Sequence, residues 1–149
     1  MSYAELGPAL ACGLKGGPRD ISATIELVLG SDGIAGLSRL RTPETVELIG
    51  LALNEVLHSV HEFSGEQTEA DESRVELWLE PTILIVTVCF RGKSLPDWLL
   101  ANWDRCREPA VLTPPGECGW GWLLVREALD SVTHSWSGSQ QILFLERRL

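Results

Sequence analysis

The chain has 149 residues, 44% of them hydrophobic, which is enough for one compact domain with a hydrophobic core. Its net charge is −9 and its pI is near 4.7, with no cluster of Lys or Arg. This disfavours nucleic acid as a partner, whereas an acidic surface suits solubility or a basic protein partner. No apolar run is long enough to span a membrane, and residues 1–20 lack the pattern of a signal peptide, so we expect a cytoplasmic protein without a membrane partner.

The cysteines indicate neither a metal site nor a disulfide framework. Cys12, Cys89, Cys106 and Cys118 lack the paired spacing of metal ligands, and Cys89 lies in an apolar stretch predicted as a strand. We therefore expect reduced thiols.

The first part of the chain is predicted to hold a lead-in, a strand and a short helix. Residues 1–19 are rich in Gly, Pro and Ala and are expected to form a loose or partly ordered lead-in to a domain that spans 20–149. Alternating apolar residues over 21–29 predict a strand, and residues 34–40 are a candidate short helix.

A long helix is the most clearly predicted element. The sequence Thr42-Pro43-Glu44 is typical of a helix start, since it supplies a capping hydroxyl, a proline in the first turn and an early acid. The helix is predicted to continue to about Glu62. Its core stripe has helical spacing and consists of Val46, Ile49, Leu53, Val56, Leu57 and Val60.

The rest of the chain alternates strands with short helices. The polar, acidic stretch 64–73 is predicted to be a solvated loop. Strands follow at 74–80 and 82–90, then a helix at 94–108, a proline-broken loop at 109–117, a helix at about 121–130 and a hairpin of strands at 131–137 and 140–148. This order predicts an α/β (α+β) two-layer sandwich, in which helices cover one face of a mixed, largely antiparallel sheet.

The stretch 116–130, GECGWGWLLVREALD, is the most informative motif. Gly119 and Gly121 lead directly into an apolar helix. Glycines at a helix N-terminus let backbone N–H groups approach an anion, and the helix dipole favours negative charge there. The motif indicates a phosphate-binding turn, and the alternative is a glycine loop that serves packing geometry.

Three local sequences and the order of elements resemble the histidine-kinase-like ATPase superfamily, the GHKL or Bergerat fold. The sequences are LALNEVLHSV, GWGWLLVREALDSV and SVTHSWSGSQQILFLE, and the resemblance covers roughly residues 21–149. Within that superfamily the chain is most similar to the bacterial RsbW-type anti-sigma serine kinases. The resemblance implies a Bergerat-type fold, a site for ATP and Mg²⁺, and a protein partner.

In that family the long helix carries a glutamate and, one turn later, an asparagine that holds Mg²⁺ against the triphosphate. Glu55 takes the glutamate position, where it would be the catalytic general base, and the alternative is a carboxylate in a surface or interface salt bridge. The asparagine position falls on Ser59, whose hydroxyl would hold Mg²⁺ poorly or through water. Asn54 projects from another face of the helix and cannot substitute.

A second family motif, Asp-x-Gly-x-Gly, follows the central strand and binds adenine through its aspartate. In the aligned stretch Gly92 is retained, Phe90 replaces the aspartate and Ser94 replaces the second glycine. A phenyl ring cannot accept a hydrogen bond from the adenine amino group, so discrimination for adenine is lost. On the phosphate side, Gly119 and Gly121 match the family. The alternative is a register error of several residues around Phe90.

These replacements make a regulatory protein-binding module our main hypothesis. It resembles an RsbW-type anti-sigma factor that binds a sigma factor or an anti-anti-sigma-type protein, with weak or absent ATP binding. The alternative is an active kinase that uses Mg²⁺ and ATP to phosphorylate serine or threonine, with Glu55 as base and Gly92, Gly119 and Gly121 around the nucleotide. A third interpretation is a stand-alone part of a two-component system without its own phosphoacceptor.

Tryptophans cluster around the proline-broken loop, where relatives carry an ATP lid. Trp98, Trp103, Trp120 and Trp122 are either core residues or anchors for a partner protein or a homodimer. Trp120 lies between the two glycines, and we expect it to be exposed and to narrow the phosphate site.

The histidines are not expected to bind a metal. His58 and His61 lie on the long helix without a well-placed third ligand, so a solvated or capping role is predicted. His134 lies in a predicted strand and is expected to be a packing residue.

Overall fold

The computed structural model describes residues 10–13, 18–30, 43–65, 67, 73–80, 82–104 and 121–148. Within these residues the elements are, in chain order, β1 (Leu10–Gly13), α1 (Pro18–Leu29), α2 (Pro43–Ser64), β2 (Arg74–Glu80), β3 (Ile83–Phe90), α3 (Asp97–Asp104), α4 (Gly121–Ala128), β4 (Ser131–Ser137) and β5 (Gln140–Arg148). The expected helix at 34–40 and the proline-broken loop at 109–117 lie outside the described residues. No helix in the described ranges is both long and apolar enough to cross a bilayer.

The strands form one sheet in the order β1-β2-β3-β5-β4, and each pair of neighbours is antiparallel. The predicted hairpin of β4 and β5 is present, with Gly138 in the left-handed backbone conformation at its turn. Because β5 pairs with both β3 and β4, it is an inner strand of the sheet, and β4 is the edge strand. The predicted α+β fold with a largely antiparallel sheet is confirmed.

The hydrophobic core lies between the helices and one face of the sheet. Residues that alternate along each strand and pair across strands supply the sheet side of the core. They are Val75, Leu77, Leu84, Val86, Val88, Leu143 and Leu145. The stripe predicted for the long helix is the helix side, with Ile49, Leu53, Val56, Leu57 and Val60 buried. The start of α2 at Pro43 is as predicted, and its end at Ser64 is two residues beyond Glu62.

The prediction of a strand over 21–29 was wrong, since these residues belong to α1. Ile21, Thr24 and Val28 are buried at helical spacing, whereas Leu27, which the alternating pattern counted as buried, is 57% exposed. A run of nine residues rich in Ile, Val and Thr fits both the period of a strand and that of a helix. Alternation alone therefore did not exclude a helix. The first helical residue is Pro18, whose fixed φ suits that position.

Two segments outside the predicted helices and strands contain residues that belong to the fold. The strand β1 lies inside the stretch 1–19 expected as a lead-in, and it pairs with β2 at one edge of the sheet. In the stretch 64–73, expected to be solvated, Ser64, Gln67 and Ser73 are buried. Polar side chains remain buried where their hydrogen bonds are satisfied inside the protein.

Candidate functional site

The helix α2 presents Glu55 and Ser59 one turn apart, next to its core stripe. Ser59 is buried and Glu55 is half-buried. Burial raises the pKa of the Glu55 carboxyl above its ordinary value of 4.5, the nearby His58 partly lowers it, and the nearby Glu62 raises it. A half-buried carboxyl with a raised pKa is a stronger base than a fully exposed one, as general-base catalysis requires.

The last residue of β3, Phe90, lies in the hydrophobic core with none of its surface exposed. Its neighbour across the sheet is Gln141 of β5, which is also fully buried. At the position that the resemblance aligns with the adenine acceptor, the chain therefore has an apolar side chain enclosed by protein.

The loop that connects β3 to α3, residues 91–96, is attached to the end of α2. Gly92 has a φ of +118°, and a side chain there would overlap the carbonyl oxygen of Ser64. The Ser64 hydroxyl donates a hydrogen bond of 2.7 Å to the carbonyl oxygen of Lys93, and the Lys93 N–H donates one of 3.4 Å to the Ser64 carbonyl. The space left by the missing side chain of Gly92 is thus filled by the protein's own backbone.

A glutamine side chain holds the start of this loop. The amide nitrogen of Gln67 donates to the carbonyl oxygen of Arg91 at 2.7 Å, and the Arg91 N–H donates to the amide oxygen of Gln67 at 2.9 Å. The hydroxyl of Ser73 donates to the same amide oxygen at 2.5 Å. Both backbone groups of Arg91 are therefore satisfied by one side chain, in the manner of a neighbouring strand.

A second glutamine holds the loop from the sheet. The amide nitrogen of Gln141 donates to the carbonyl oxygens of Lys93 at 3.0 Å and of Gly92 at 3.5 Å. Its amide oxygen lies 3.0 Å from Nε2 of His134 on β4. Side chains from α2, from the stretch after it and from β5 thus hold the β3–α3 loop.

The glycine-led helix α4 begins at Gly121, as predicted, and packs beside α2. The other glycine of the motif, Gly119, and the neighbouring Trp120 lie outside the described residues. The structure therefore places the loop at Gly92 against the end of α2 and the helix α4 beside α2.

The predictions for the remaining aromatic residues and histidines have mixed outcomes. Trp103 is buried in the core, and Trp98 packs edge-on against Phe63 with ring centroids 5.4 Å apart. His134 does more than pack, since it hydrogen-bonds to Gln141. Within the described ranges, no group of three or more His, Cys, Asp or Glu side chains could hold a metal ion.

A cleft of 390 Å³ lies between α3 and β4. The described residues that line it are Leu100, Ala101, Trp103, Val132, Thr133 and His134. None of the residues predicted to bind nucleotide or metal is among them.

Sequence reasoning missed Gln67, Ser73 and Gln141. Glutamine and serine in a polar stretch show no pattern that distinguishes buried, hydrogen-bonded side chains from those of a solvated loop. The partners of Gln67 and Gln141 lie 24 and 48 residues away in the sequence. The side chain of Trp122 is outside the described part of the structure.

No protein-family model matches the sequence, and no curated protein matches it. The solved structures that are similar to it in fold include the following two. The catalytic domain of histidine kinase ThkA, in a nucleotide-free form, matches with a TM-score of 0.50 and 15% identity, over 69% of this chain and 66% of that one. The SiaB–SiaC complex from Pseudomonas aeruginosa matches with a TM-score of 0.60 and 8% identity, over 99% of this chain and 94% of the matched one.

The chain therefore has the fold of the histidine-kinase-like (GHKL) ATPase domains, as the resemblance implied. Identities of 15% and 8% show the fold alone, because one fold supports many activities. The chain also spans slightly less than two thirds, 66%, of the matched ThkA chain.

Proposed function

We propose that this protein is a regulatory protein-binding module of the RsbW type, which acts in the cytoplasm by associating with a protein partner and binds ATP weakly or not at all. The observation that carries this proposal is that Phe90, which the resemblance aligns with the family's adenine-binding aspartate, is fully buried in the core. An adenine ring placed there would find no hydrogen-bond acceptor and would have to displace a core side chain.

The loop next to Phe90 supports the same conclusion. In a nucleotide-dependent site, ligand contacts help to order the surrounding loops. Here the backbone of Arg91 and Lys93 is held by Gln67, Ser64 and Gln141. A loop that is already fixed by the protein needs no nucleotide for its structure, and the residues present do not fit an adenine ring.

The position that the resemblance assigns to Mg²⁺ binding also differs from the family. Ser59 offers a hydroxyl where the family has a carboxamide, and it is 6% exposed. A short side chain that is almost buried is a poor ligand for Mg²⁺, which requires near-ideal octahedral geometry. The residues at the aligned cation position therefore do not fit a tightly held Mg²⁺ either.

Partner binding is supported by the fold comparison and by charge. The SiaB–SiaC complex, which matches over 99% of this chain, is an assembly of two proteins. A net charge of −9 favours association with a basic surface. By the resemblance, the partner is a sigma factor or an anti-anti-sigma-type protein, and a homodimer would be compatible with such a role.

A second candidate function is an active serine or threonine kinase. The raised pKa of Glu55 favours a kinase, since a half-buried carboxyl with a raised pKa can serve as a general base. In that case Glu55 would accept the proton of a substrate hydroxyl. Glu55→Gln would then abolish phosphoryl transfer, whereas Glu47→Gln, at an exposed position of the same helix, would not.

Calorimetric titration of the full chain with ATP, with and without Mg²⁺, separates the two functions. The proposal predicts no binding in the micromolar range and no difference between the two titrations. Ser59→Asn, which restores the family's carboxamide, should not create micromolar binding, because Phe90 still blocks the adenine position. Micromolar binding that depends on Mg²⁺ would contradict the proposal and favour the kinase.

Partner binding needs a separate measurement. A protein captured on the immobilised chain should be purified, and its affinity measured with the purified components in the absence of nucleotide. The proposal requires that the complex form without ATP and that its affinity not change when ATP and Mg²⁺ are added. A complex that forms only with nucleotide would contradict it.

A further inference from the structure

We propose that the open edge of β4 pairs with the same edge of a second copy of this chain, so that the two sheets join into one continuous sheet in an antiparallel homodimer. The strand β4 is the last in the order of the five-stranded sheet, and within the described residues only β5 pairs with it. The inference uses neither Glu55, Ser59 nor Phe90, so it does not depend on the proposed function.

Hydrogen bonding to β5 determines which backbone groups of β4 face the open edge. The turn at 138–139 joins Ser137 to Gln140, and the pair that closes a two-residue turn exchanges both of its backbone hydrogen bonds. Every second residue before Ser137 is bonded to β5 in the same way, and the N–H of Arg148, which reaches the Asp130 carboxylate, agrees with this alternation. The residues between them direct their N–H and carbonyl groups outward, and they are Val132, His134 and Trp136.

The sequence of β4, SVTHSWS, is symmetric in character about His134. Its first, third, fifth and seventh residues carry hydroxyls, and the second and sixth are apolar. In an antiparallel pair with His134 on the two-fold axis, Trp136 lies opposite Val132 of the other copy, and Thr133 lies opposite Ser135. Aromatic side chains opposite β-branched ones, and Thr opposite Ser, are both favourable cross-strand pairs. In this register every outward backbone group of both strands has a partner, so β4 is complementary to itself.

The charge of the chain favours a second copy over a basic partner at this edge. The net charge is −9, so two copies can approach closely only through a surface that is free of like charges. No residue of Ser131–Ser137 is charged, and the strand has no proline. Pairing with itself therefore places no like charges opposite each other, whereas a basic peptide would find no counter-charge along the strand.

The open edge is accessible from the cleft between α3 and β4. Three consecutive residues of β4, 132–134, border this cleft. Since the side chains of consecutive strand residues point to opposite faces, a cleft that touches all three reaches the backbone along the edge. Trp136 is 50% exposed, and pairing places it beside Val132 of the other copy, where the cleft begins. A large aromatic side chain that is half exposed in the monomer is thus covered in the dimer.

The imidazole of His134 does not block the two-fold axis. Its Nε2 lies 3.0 Å from the amide oxygen of Gln141 on β5, so the ring is directed toward β5 and away from the second copy. A contact limited to two seven-residue strands is at the low end of interface sizes. We therefore expect a dimer that dissociates on dilution.

Analytical ultracentrifugation of the 149-residue protein from micromolar to millimolar concentration measures this association. Thr133→Lys combined with Ser135→Lys places like charges opposite each other in the dimer and should raise the dissociation constant by about tenfold or more. Ala23→Lys combined with Leu27→Lys is the matched control, since it adds the same charge at exposed positions of α1. The control should not weaken the dimer.

The register is tested by reversing one of the added charges. Thr133→Lys combined with Ser135→Glu places opposite charges across the interface and should dimerise at least as tightly as the native protein. Trp136→Ser should weaken the dimer by about tenfold or more, because it removes the largest side chain that pairing covers. Leu51→Ser is its control, since Leu51 is 45% exposed on α2 and should not matter.

Amide hydrogen exchange, followed by NMR on the native protein, identifies the surface that pairs. The N–H groups of Val132, His134 and Trp136 gain hydrogen bonds only in the dimer, so their exchange should slow as the protein concentration rises. Thr133 and Ser135 are already bonded to β5, and their exchange should stay the same. A dimer through another surface would not produce this alternation.

Four results would overturn the proposal. They are a monomer at millimolar concentration, equal dissociation constants for the Lys–Lys and Lys–Glu variants, a loss from Trp136→Ser no larger than that from Leu51→Ser, and amide exchange at Val132, His134 and Trp136 that is independent of concentration. Thermal melts show whether each variant is folded, and the exchange measurement needs no variant. ATP binding and capture of another protein enter none of these outcomes, so failure here is distinct from failure of the proposed function.

Discussion

The carbonyl oxygen of Ser64 occupies the space that a side chain on Gly92 would need. The contact joins the last residue of α2 to the loop after the central strand β3. Gly92 also has a φ of +118°, in the left-handed region that other residues rarely adopt. Packing alone therefore requires glycine at this position, whether or not a nucleotide binds.

Gly92→Ala should lower the free energy of unfolding by about 3 kcal/mol or more, because backbone strain and a clash with backbone act together. Gly138→Ala is the control, since Gly138 has a φ of +62° but no atom within 4 Å of the added carbon. It should cost only about 1 kcal/mol. Urea denaturation measures both, and equal losses would show that the Ser64 contact is unimportant.

Gln67→Leu should destabilise the protein by about 2–4 kcal/mol, because it leaves the N–H and the carbonyl of Arg91 and the hydroxyl of Ser73 without partners. Ser73→Ala removes one of these bonds and should cost about 1 kcal/mol. Thermal unfolding followed by circular dichroism gives both values. A loss from Gln67→Leu no larger than that from Ser73→Ala would mean that Gln67 does not hold the loop.

Phe90→Ala should cost about 3–5 kcal/mol, as for other large residues truncated in a core. Phe144 lies on the opposite face of the sheet and is only half-buried, so Phe144→Ala should cost clearly less. Urea denaturation compares the two. If Phe90 instead lined an open adenine pocket, its truncation would be tolerated, and the proposal of weak nucleotide binding would lose its main support.

Glu55→Gln should stabilise the protein at neutral pH and leave its stability unchanged below pH 4.5. Burial raises the pKa of Glu55 in the folded state above the ordinary value of 4.5. The unfolded state therefore loses its proton first as the pH rises, and stability falls until the folded-state pKa is passed. Glutamine cannot ionise, so the variant avoids this loss.

Melting temperatures of Glu55→Gln and of the native chain between pH 4 and pH 8 test this dependence. Glu47→Gln, at an exposed position on the same helix, is the control and should show no such pH-dependent gain. A gain for Glu55→Gln that is the same at pH 4 and pH 8 would contradict the assignment.

The elements that the sequence predicted well have local signals at their ends. The proline and the acid at residues 43 and 44 gave the start of α2, and the turn at Gly138 gave the pairing of β4 with β5. Such signals depend on neighbours along the chain, so they can be recognised without knowing the fold. The resemblance to histidine-kinase-like ATPases depended on these elements and on their order.

The features that the sequence did not predict depend on residues far apart. Residues 21–29 form a helix because Ile21, Thr24 and Val28 pack into the core, and the proline at its first position was the local signal that the alternating pattern obscured. The role of Gln67 depends on Arg91, and that of Gln141 on Lys93. A hydrogen bond between a side chain and a distant backbone group produces no periodic pattern that could be recognised in a sequence.

The strand β1 has a consequence for work with shortened forms of the protein. It covers the outer edge of β2 from Arg74 to Leu77. A chain that started after Gly13 would leave the backbone N–H and carbonyl groups along that edge open to strands from other molecules. Such a chain should form larger particles as its concentration rises, which light scattering would detect, whereas the 149-residue chain keeps the edge of β2 paired within one molecule.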